Sequence, residues 1–208
     1  MDFSAAFKVR PARPQQEYIY IYQSAGNDLQ PLSFTIRNTG GVELKVVYRD
    51  EPALGGHEVQ LPDIPSTASA YRAGVFSLRL AGAPFVDASG THYLDGNGVI
   101  VVGGVAVGSA REHFIAPRAV RGLEWPHIYG LGNTTLRREC VLVENTGGSP
   151  ISIVIRVAPD SKGREVHVDP PILPGSCMIL GNVYSIRVAT DDNAPQYSEG
   201  YWTVFPLL

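Results

Sequence analysis

Short runs of alternating hydrophobic and polar residues dominate the chain, and turn residues separate them. In residues 32–37 the alternation places Phe34 and Ile36 on one face, and residues 42–49 resume the pattern after a turn. No stretch shows the 3.6-residue period of a long amphipathic helix. The pattern therefore predicts an all-β protein.

The tetrapeptide Asn-Thr-Gly-Gly occurs at residues 38–41 and again at residues 145–148, an offset of 107. At this offset residues 17–61 align with residues 124–168 without a gap, and the 45 aligned pairs include fourteen identities. An internal match of this length is typical of a duplicated structural unit. We therefore expect two tandem modules.

The duplication predicts three segments. Residues 1–16 form an N-terminal arm with an edge strand, residues 17–107 form module 1, and residues 108–208 form module 2 with its leading connector. Each module has about seven short strands, which is typical of an immunoglobulin-like β-sandwich. A small jelly roll or barrel is the alternative. Cores of this size are marginal alone, so we expect further burial between the modules or with partners.

Two turn sequences predict β-hairpins. In residues 38–41 the glycine pair would supply positive φ between two adjacent strands, and an anion-binding loop is the less favoured reading because no helix follows. Residues 95–98, Asp-Gly-Asn-Gly, predict a hairpin between strands at 91–94 and 99–102.

Composition and charge narrow the classes of function. The chain has 208 residues and a formal net charge of −3, so we expect no direct nucleic-acid binding through a basic field. The histidines show no metal-site spacing, and the serines lack a Gly-x-Ser-x-Gly context. We therefore expect no enzyme activity, no cofactor and no metal. Cys140 and Cys177 are expected to be free, buried thiols.

Charged residues recur in pairs at the same places in both modules. Arg49 and Glu58 flank a loop between consecutive strands, and Arg156 and Glu165 repeat the arrangement. Cross-strand ion pairs at these positions would contribute roughly 0.2–1 kcal/mol each. A catalytic or anion-binding role is the alternative, and repetition in both modules favours architecture.

Aromatic and basic residues provide the candidate contact surfaces. The strand at 17–22 alternates tyrosine with isoleucine, which predicts a tyrosine face for a protein contact or a glycan. The segment at 10–14, Arg-Pro-Ala-Arg-Pro, is expected to be an arm that grips a neighbour or a stiff linker. The interface candidates are Arg10, Arg13, Tyr18, Tyr20, Tyr22, Trp125 and Trp202.

Three motifs carry a resemblance to known assemblies. The Asn-Thr-Gly-Gly turn is followed by a proline-containing crossover and by Val-Phe-Ser-Leu at 75–78 or Val-Tyr-Ser-Ile at 183–186. These units look like immunoglobulin-like adhesion and assembly modules. A short, acidic, duplicated β-protein also resembles virion structural proteins of tailed bacteriophages, of the decoration, neck or tail type.

The resemblance implies a non-enzymatic structural protein of a phage-like particle. Its partners would be other virion proteins and copies of itself, and three two-module chains would give a trimer with pseudo-sixfold symmetry. No apolar run approaches the roughly 20 residues of a membrane span, and residues 1–7 lack a signal-peptide pattern. We therefore expect a virion location after assembly in the host cytoplasm, without a membrane partner. The alternative is a carbohydrate- or receptor-binding module that uses Tyr18, Trp125 or Trp202.

Overall fold

The computed structural model describes residues 3–15, 18–24, 31–51, 57–103, 111–120, 124–130, 139–157, 165–191 and 197–205. Every regular element in these ranges is a β-strand, which confirms the all-β prediction. No helix in the described part of the chain is long and apolar enough to cross a membrane.

The described residues of the first half form ten strands, and those of the second half form eight. The first ten are β1 (Phe3–Val9), β2 (Ile19–Ser24), β3 (Leu32–Asn38), β4 (Leu44–Arg49), β5 (Glu58–Gln60), β6 (Ser69–Val75), β7 (Ser77–Gly82), β8 (Phe85–Asp87), β9 (Gly90–His92) and β10 (Gly96–Gly103). The other eight are β11 (Glu112–Ala116), β12 (His127–Tyr129), β13 (Glu139–Asn145), β14 (Ile151–Arg156), β15 (Glu165–Ile172), β16 (Ser176–Val183), β17 (Ser185–Thr190) and β18 (Ser198–Phe205).

The strands form three stacked sheets and one small hairpin. The first outer sheet has the order β1-β10-β3-β6, and the second outer sheet has the order β12-β17-β14-β15. Between them lies the middle sheet, with the order β11-β18-β13-β16-β2-β7-β4-β5. Within the described part of the chain, strands β8 and β9 pair with each other and with no other strand.

Both halves have the same strand order. When the β8–β9 hairpin is set aside and each half is numbered from one to eight, both give the sheets 1-8-3-6 and 2-7-4-5. The β-sandwich prediction is therefore confirmed. The predicted immunoglobulin-like strand order is wrong, because the order is that of a jelly roll, the alternative that the sequence left open. The edge strand predicted within residues 1–16 is β1, the first strand of the first jelly roll. That the halves arose by duplication stays a prediction.

The middle sheet crosses the boundary between the two halves. Strand β16 of the second half runs parallel to β2 of the first, with Ile179 opposite Tyr22 and Leu180 opposite Gln23. Strands β13 and β16 therefore lie inside a sheet that is covered on both faces. The two jelly rolls share backbone hydrogen bonding as well as side-chain packing.

Two hydrophobic cores lie on opposite faces of the middle sheet. Cys140, Leu142, Cys177 and Ile179 from the second half pack into the core that the first half builds. Their neighbours on the other face fill the core against the second outer sheet. Those neighbours are Val141, Val143, Met178 and Leu180. Because these strands are buried on both sides, their sequences are continuously apolar, whereas solvent-facing strands alternate.

The prediction of a hairpin at residues 38–41 is wrong. Strand β3 belongs to the first outer sheet and β4 to the middle sheet, so the turn carries the chain across the sandwich. Positive φ occurs at four other described glycines, and not at Gly40 or Gly41. A Cβ at Gly40 would lie 3.1 Å from the backbone N of Asn97, so close approach to the neighbouring chain favours glycine there.

The first residue of this turn is a buried clamp. Asn38 is fully buried, and its Nδ2 donates to the carbonyl oxygens of Val42 at 2.8 Å and Ile64 at 2.9 Å. Its Oδ1 accepts from the backbone N of Gly40 at 2.9 Å. The side chain thereby joins the turn to Ile64 in the proline-containing crossover at residues 61–65, which is distant in sequence.

Asn145 makes the same contacts in the second half. Its Nδ2 donates to the carbonyl oxygens of Ser149 and Ile172, both at 2.9 Å, and its Oδ1 accepts from Gly147 N at 3.1 Å. A further bond comes from Ser198 Oγ, 3.0 Å from Asn145 Oδ1. The shared tetrapeptide is thus explained by a buried amide that satisfies backbone groups the strand ladders leave open.

The hairpin predicted around residues 95–98 is also wrong. Strand β9 pairs with β8, and β10 begins at Gly96 and pairs with β1 and β3. A Cβ at Gly98 would collide with the ring of Phe7, and one at Gly96 would collide with the side chain of Leu44. These glycines therefore admit core side chains inside a strand, and they do not form a turn.

Candidate interaction surfaces

The tyrosines of β2 do not share one face. Ile19 lies opposite Leu80 and Tyr22 lies opposite Leu78, with a bulge between Tyr20 and Tyr22 that shifts the alternation. Tyr22 is consequently fully buried in the first core. The prediction of a common tyrosine face is wrong because the extra residue turns Tyr22 inward.

The other two predicted tyrosines are half-buried. Tyr20 packs against the second core, and the guanidinium carbon of Arg79 lies 5.4 Å from the centre of its ring. Through this packing Tyr20 contacts the second half of the chain. Tyr18 lies one residue before β2, and an external contact through it stays a prediction.

The basic proline-containing segment lies along its own chain. Gly82 N donates to the carbonyl of Arg10 at 2.9 Å, and Ala12 N donates to the carbonyl of Gly82 at 2.7 Å. The guanidinium carbon of Arg13 lies 5.4 Å from the ring centre of Tyr93. These contacts favour the reading of a stiff connector, while Arg10 and Arg13 keep exposed side chains.

The two tryptophans lie on opposite sides of the second outer sheet. Trp125 makes an edge contact with His167, whose ring centre is 5.5 Å away, and His167 is paired with Val154 outside the second core. Trp202 packs against that core, 5.7 Å from the ring of Tyr129. Both are half-buried. The two tryptophans therefore do not line one groove together, and glycan binding through either of them stays a prediction.

The predicted arginine–glutamate pairs form, and each glutamate carboxylate also contacts a second arginine. Arg49 is the direct cross-strand partner of Glu58, with 3.6 Å between Nη2 and Oε1. Arg79 of the neighbouring strand β7 also contacts the Glu58 carboxylate. Arg79 was missed as a participant, although Arg187 occupies the equivalent position and the repeat itself was a signal for both.

The second half repeats this cluster with additional groups. Arg156 lies 3.5 Å from Glu165, and Arg187 contacts both Glu165 and Glu124. Burial raises the pKa of Glu165, but the hydrogen bonds and charges of the two arginines outweigh it and lower the pKa overall. The guanidinium groups are held by carboxylates, so the arrangement favours stability over catalysis. The Nε atoms of Arg49 and Arg156 are buried without a hydrogen-bond partner.

The hairpin β8–β9 contains Asp87, Ser89 and His92 in mutual contact. His92 Nε2 lies 2.8 Å from Asp87 Oδ1 and also 2.8 Å from Ser89 Oγ. In a hydrolytic triad the histidine uses different nitrogens for the carboxylate and the nucleophile. Here one nitrogen makes both contacts, so the geometry is that of a turn-stabilising cluster. The bonds from Ser89, followed by that from His92, lower the pKa of Asp87.

The terminal strands of the three sheets differ in how they are protected. Strand β15 contains Pro170 and Pro171, which lack N–H groups, and β5 has only three residues. The backbone N of Lys8 in β1 donates to Ser176 Oγ at 3.1 Å. Strand β6 has seven residues and no proline, and its Tyr71 side chain is 60% exposed. It is therefore an edge to which another strand can pair.

Cys140 and Cys177 are free and buried, which confirms the prediction. Both lie in the first core, although both belong to the second half of the sequence. No group of three or more metal-binding side chains occurs in the part of the chain that the structure describes. Comparison of the chain with models of known protein families found no match, and comparison with curated proteins found no significant match.

Proposed function

We propose that this protein is a non-enzymatic structural component of a phage-like particle and acts through its sandwich surfaces and sheet edges. The observation that carries the proposal is the parallel β16–β2 pairing, which joins two jelly rolls into one continuous middle sheet. These units therefore associate by strand pairing within the chain. Assembly with further units requires only the same chemistry.

The fold supports the proposal by analogy. Jelly rolls occur in viral capsid proteins, and also in lectins and cupins, so the fold alone does not determine function. The shared strand order favours assembly, because three such chains present six similar units around an axis. A trimer with pseudo-sixfold symmetry suits a position where threefold and sixfold parts of a particle meet.

The decisive experiment measures binding to particles that lack this protein. The purified chain, 22.5 kDa, is mixed with such particles, and bound protein is quantified after sedimentation. We expect saturable binding with a copy number that follows the particle symmetry. Particles that already contain the protein are the control and should take up no more. A chain that stays monomeric and does not bind the deficient particles would refute the proposal.

A further inference from the structure

We infer that the exposed edge of β6 in one copy pairs in parallel with β12 of a second copy. The contact would repeat between chains the β16–β2 pairing that joins the two halves within a chain. The inference rests on the proposed assembly function and names its partner as a second copy of this chain. The strands that meet are β6 of one copy and β12 of the other.

The equivalence of the strands determines which residues meet. In the first outer sheet Tyr71 lies opposite Thr35, as Ile179 lies opposite Leu142 in the second half. Both β6 and β16 are the sixth strand of their jelly roll, and their pairings show a bulge at the same place. Tyr71 is therefore the structural counterpart of Ile179.

The proposed partner strand is equivalent to β2. Tyr129 lies opposite Ile186, as Tyr22 lies opposite Leu78, and a bulge precedes both tyrosines. Strand β12 ends the second outer sheet in the described sheet order. Since Ile179 lies opposite Tyr22 at the internal junction, the contact between copies places Tyr71 opposite Tyr129.

The backbone of β6 is oriented for this pairing. Asn38 N donates to the carbonyl of Ala68 at 2.9 Å, so that carbonyl points toward β3. Antiparallel partners alternate between hydrogen-bonded and non-hydrogen-bonded pairs. The Thr35–Tyr71 pair lies three positions along the strands from the hydrogen-bonded Asn38–Ala68 pair. It is therefore a non-hydrogen-bonded pair. The N–H and C=O of Tyr71 consequently point outward. Arg72 Nη1 donates to that carbonyl at 3.2 Å, and an added strand would replace this exposed bond.

Two residues of the internal junction, Ile179 and Lys8, have counterparts that are apolar and exposed. Tyr71 is 60% exposed, whereas its counterpart Ile179 is 1% exposed. Ile115 is 56% exposed and is the counterpart of Lys8, because the preceding residues pair with equivalent glycines. At the internal junction the backbone N of Lys8 donates to the side chain of Ser176, the first residue of β16. In a second copy, β11 would approach β6 in the same way.

The contact between copies is weaker than the internal junction. Cys140, Leu142 and Cys177 form a buried apolar face under the first outer sheet. Their counterparts on the outer face of that sheet are Ser33, Thr35 and Ser69, which are polar and partly or fully exposed. The association therefore depends on backbone pairing and on Tyr71, and it is reversible with concentration. Each copy uses β6 on one side and β12 on the other, so the contact builds a ring or an open chain.

Cysteine cross-linking tests which strands meet. One chain carries Tyr71→Cys and another carries Tyr129→Cys, and the two are studied separately and mixed under a mild oxidant. We expect a disulfide-linked dimer in the mixture alone, since the native cysteines are buried. Cross-linking of Tyr71→Cys with itself would show a symmetric β6–β6 contact and overturn the inference. Absence of a dimer in all three samples would also overturn it.

A second measurement does not require a substitution at Tyr129, which is half-buried. Sedimentation equilibrium compares Tyr71→Lys with Val86→Lys, a matched change at a side chain that is 75% exposed on the β8–β9 hairpin. We expect Tyr71→Lys to weaken self-association at least tenfold and Val86→Lys to leave it unchanged. Equal effects of the two variants would refute the role of β6.

These experiments use purified protein and are independent of particle binding. Specific cross-linking without binding to deficient particles would support the edge contact and refute the proposed particle function. Particle binding without specific cross-linking would support the proposed particle function and refute the edge contact.

Discussion

The buried amide of Asn38 is expected to be a main source of stability, and its removal tests this directly. In Asn38→Ala the protein loses the two bonds that Nδ2 donates and the one that Oδ1 accepts. Each buried hydrogen bond contributes about 1 kcal/mol net, and an unsatisfied carbonyl adds a desolvation cost. We therefore expect the free energy of unfolding to fall by about 3 kcal/mol.

The equivalent residue provides an internal calibration. Asn145 makes the same three bonds and accepts one more from Ser198 Oγ. Asn145→Ala should therefore cost about 1 kcal/mol more than Asn38→Ala. The adjacent Thr39 is exposed, and Thr39→Ala should change stability by less than about 0.5 kcal/mol.

Urea unfolding followed by two probes measures these values. Both tryptophans lie in the second half, so their fluorescence reports there, while far-ultraviolet circular dichroism reports on all strands. Because the middle sheet joins the halves, Asn38→Ala should shift both midpoints together. A decrease in the free energy of unfolding of less than about 1 kcal/mol for Asn38→Ala would refute the stabilising role of the buried amide. An unchanged fluorescence midpoint would show that the halves unfold independently.

Three further outcomes follow from single side chains. Burial raises the pKa of the Cys177 thiol, so a thiol reagent should label it only as fast as the protein unfolds. Burial, followed by the charges of Arg187 and Arg156, lowers the pKa of His127 in the folded protein. As the pH falls through about 6.5, the unfolded state therefore binds more protons than the folded state. The free energy of unfolding should decrease over this pH range. His127→Gln should flatten this slope in urea midpoints measured from about pH 7.5 to 5.5. Arg187→Met should cost about 1–3 kcal/mol at neutral pH, and less once Glu165 is protonated in acid; an equal cost at both pH values would contradict the ion-pair role.

Local sequence pattern predicted the elements well where a single face is buried. The alternation around Phe34 and Ile36 corresponds to β3, and both side chains are fully buried. The spacing of Arg49 and Glu58 predicted a cross-strand pair that forms. Such features follow from residues close in the chain, because side chains alternate between the faces of any strand.

The use of glycines was harder to predict. The same glycine-rich sequences can form a hairpin turn, a crossing between sheets or a gap for a bulky neighbour. Gly40 lies in a crossing, and Gly98 lies within a strand beneath the ring of Phe7. The neighbouring segment decides between these roles, and it comes from a distant part of the chain.

By itself, the sequence determined the β-strands, the internal match, the free cysteines and the recurring polar pairs. Only the tertiary structure decided that β16 pairs with β2, that a bulge turns Tyr22 inward, and that both cores meet the same middle sheet. The physical reason is that alternation specifies which face of a strand is apolar, and leaves open which strand pairs with its edge and which sheet covers that face. Those choices depend on contacts between segments far apart in sequence.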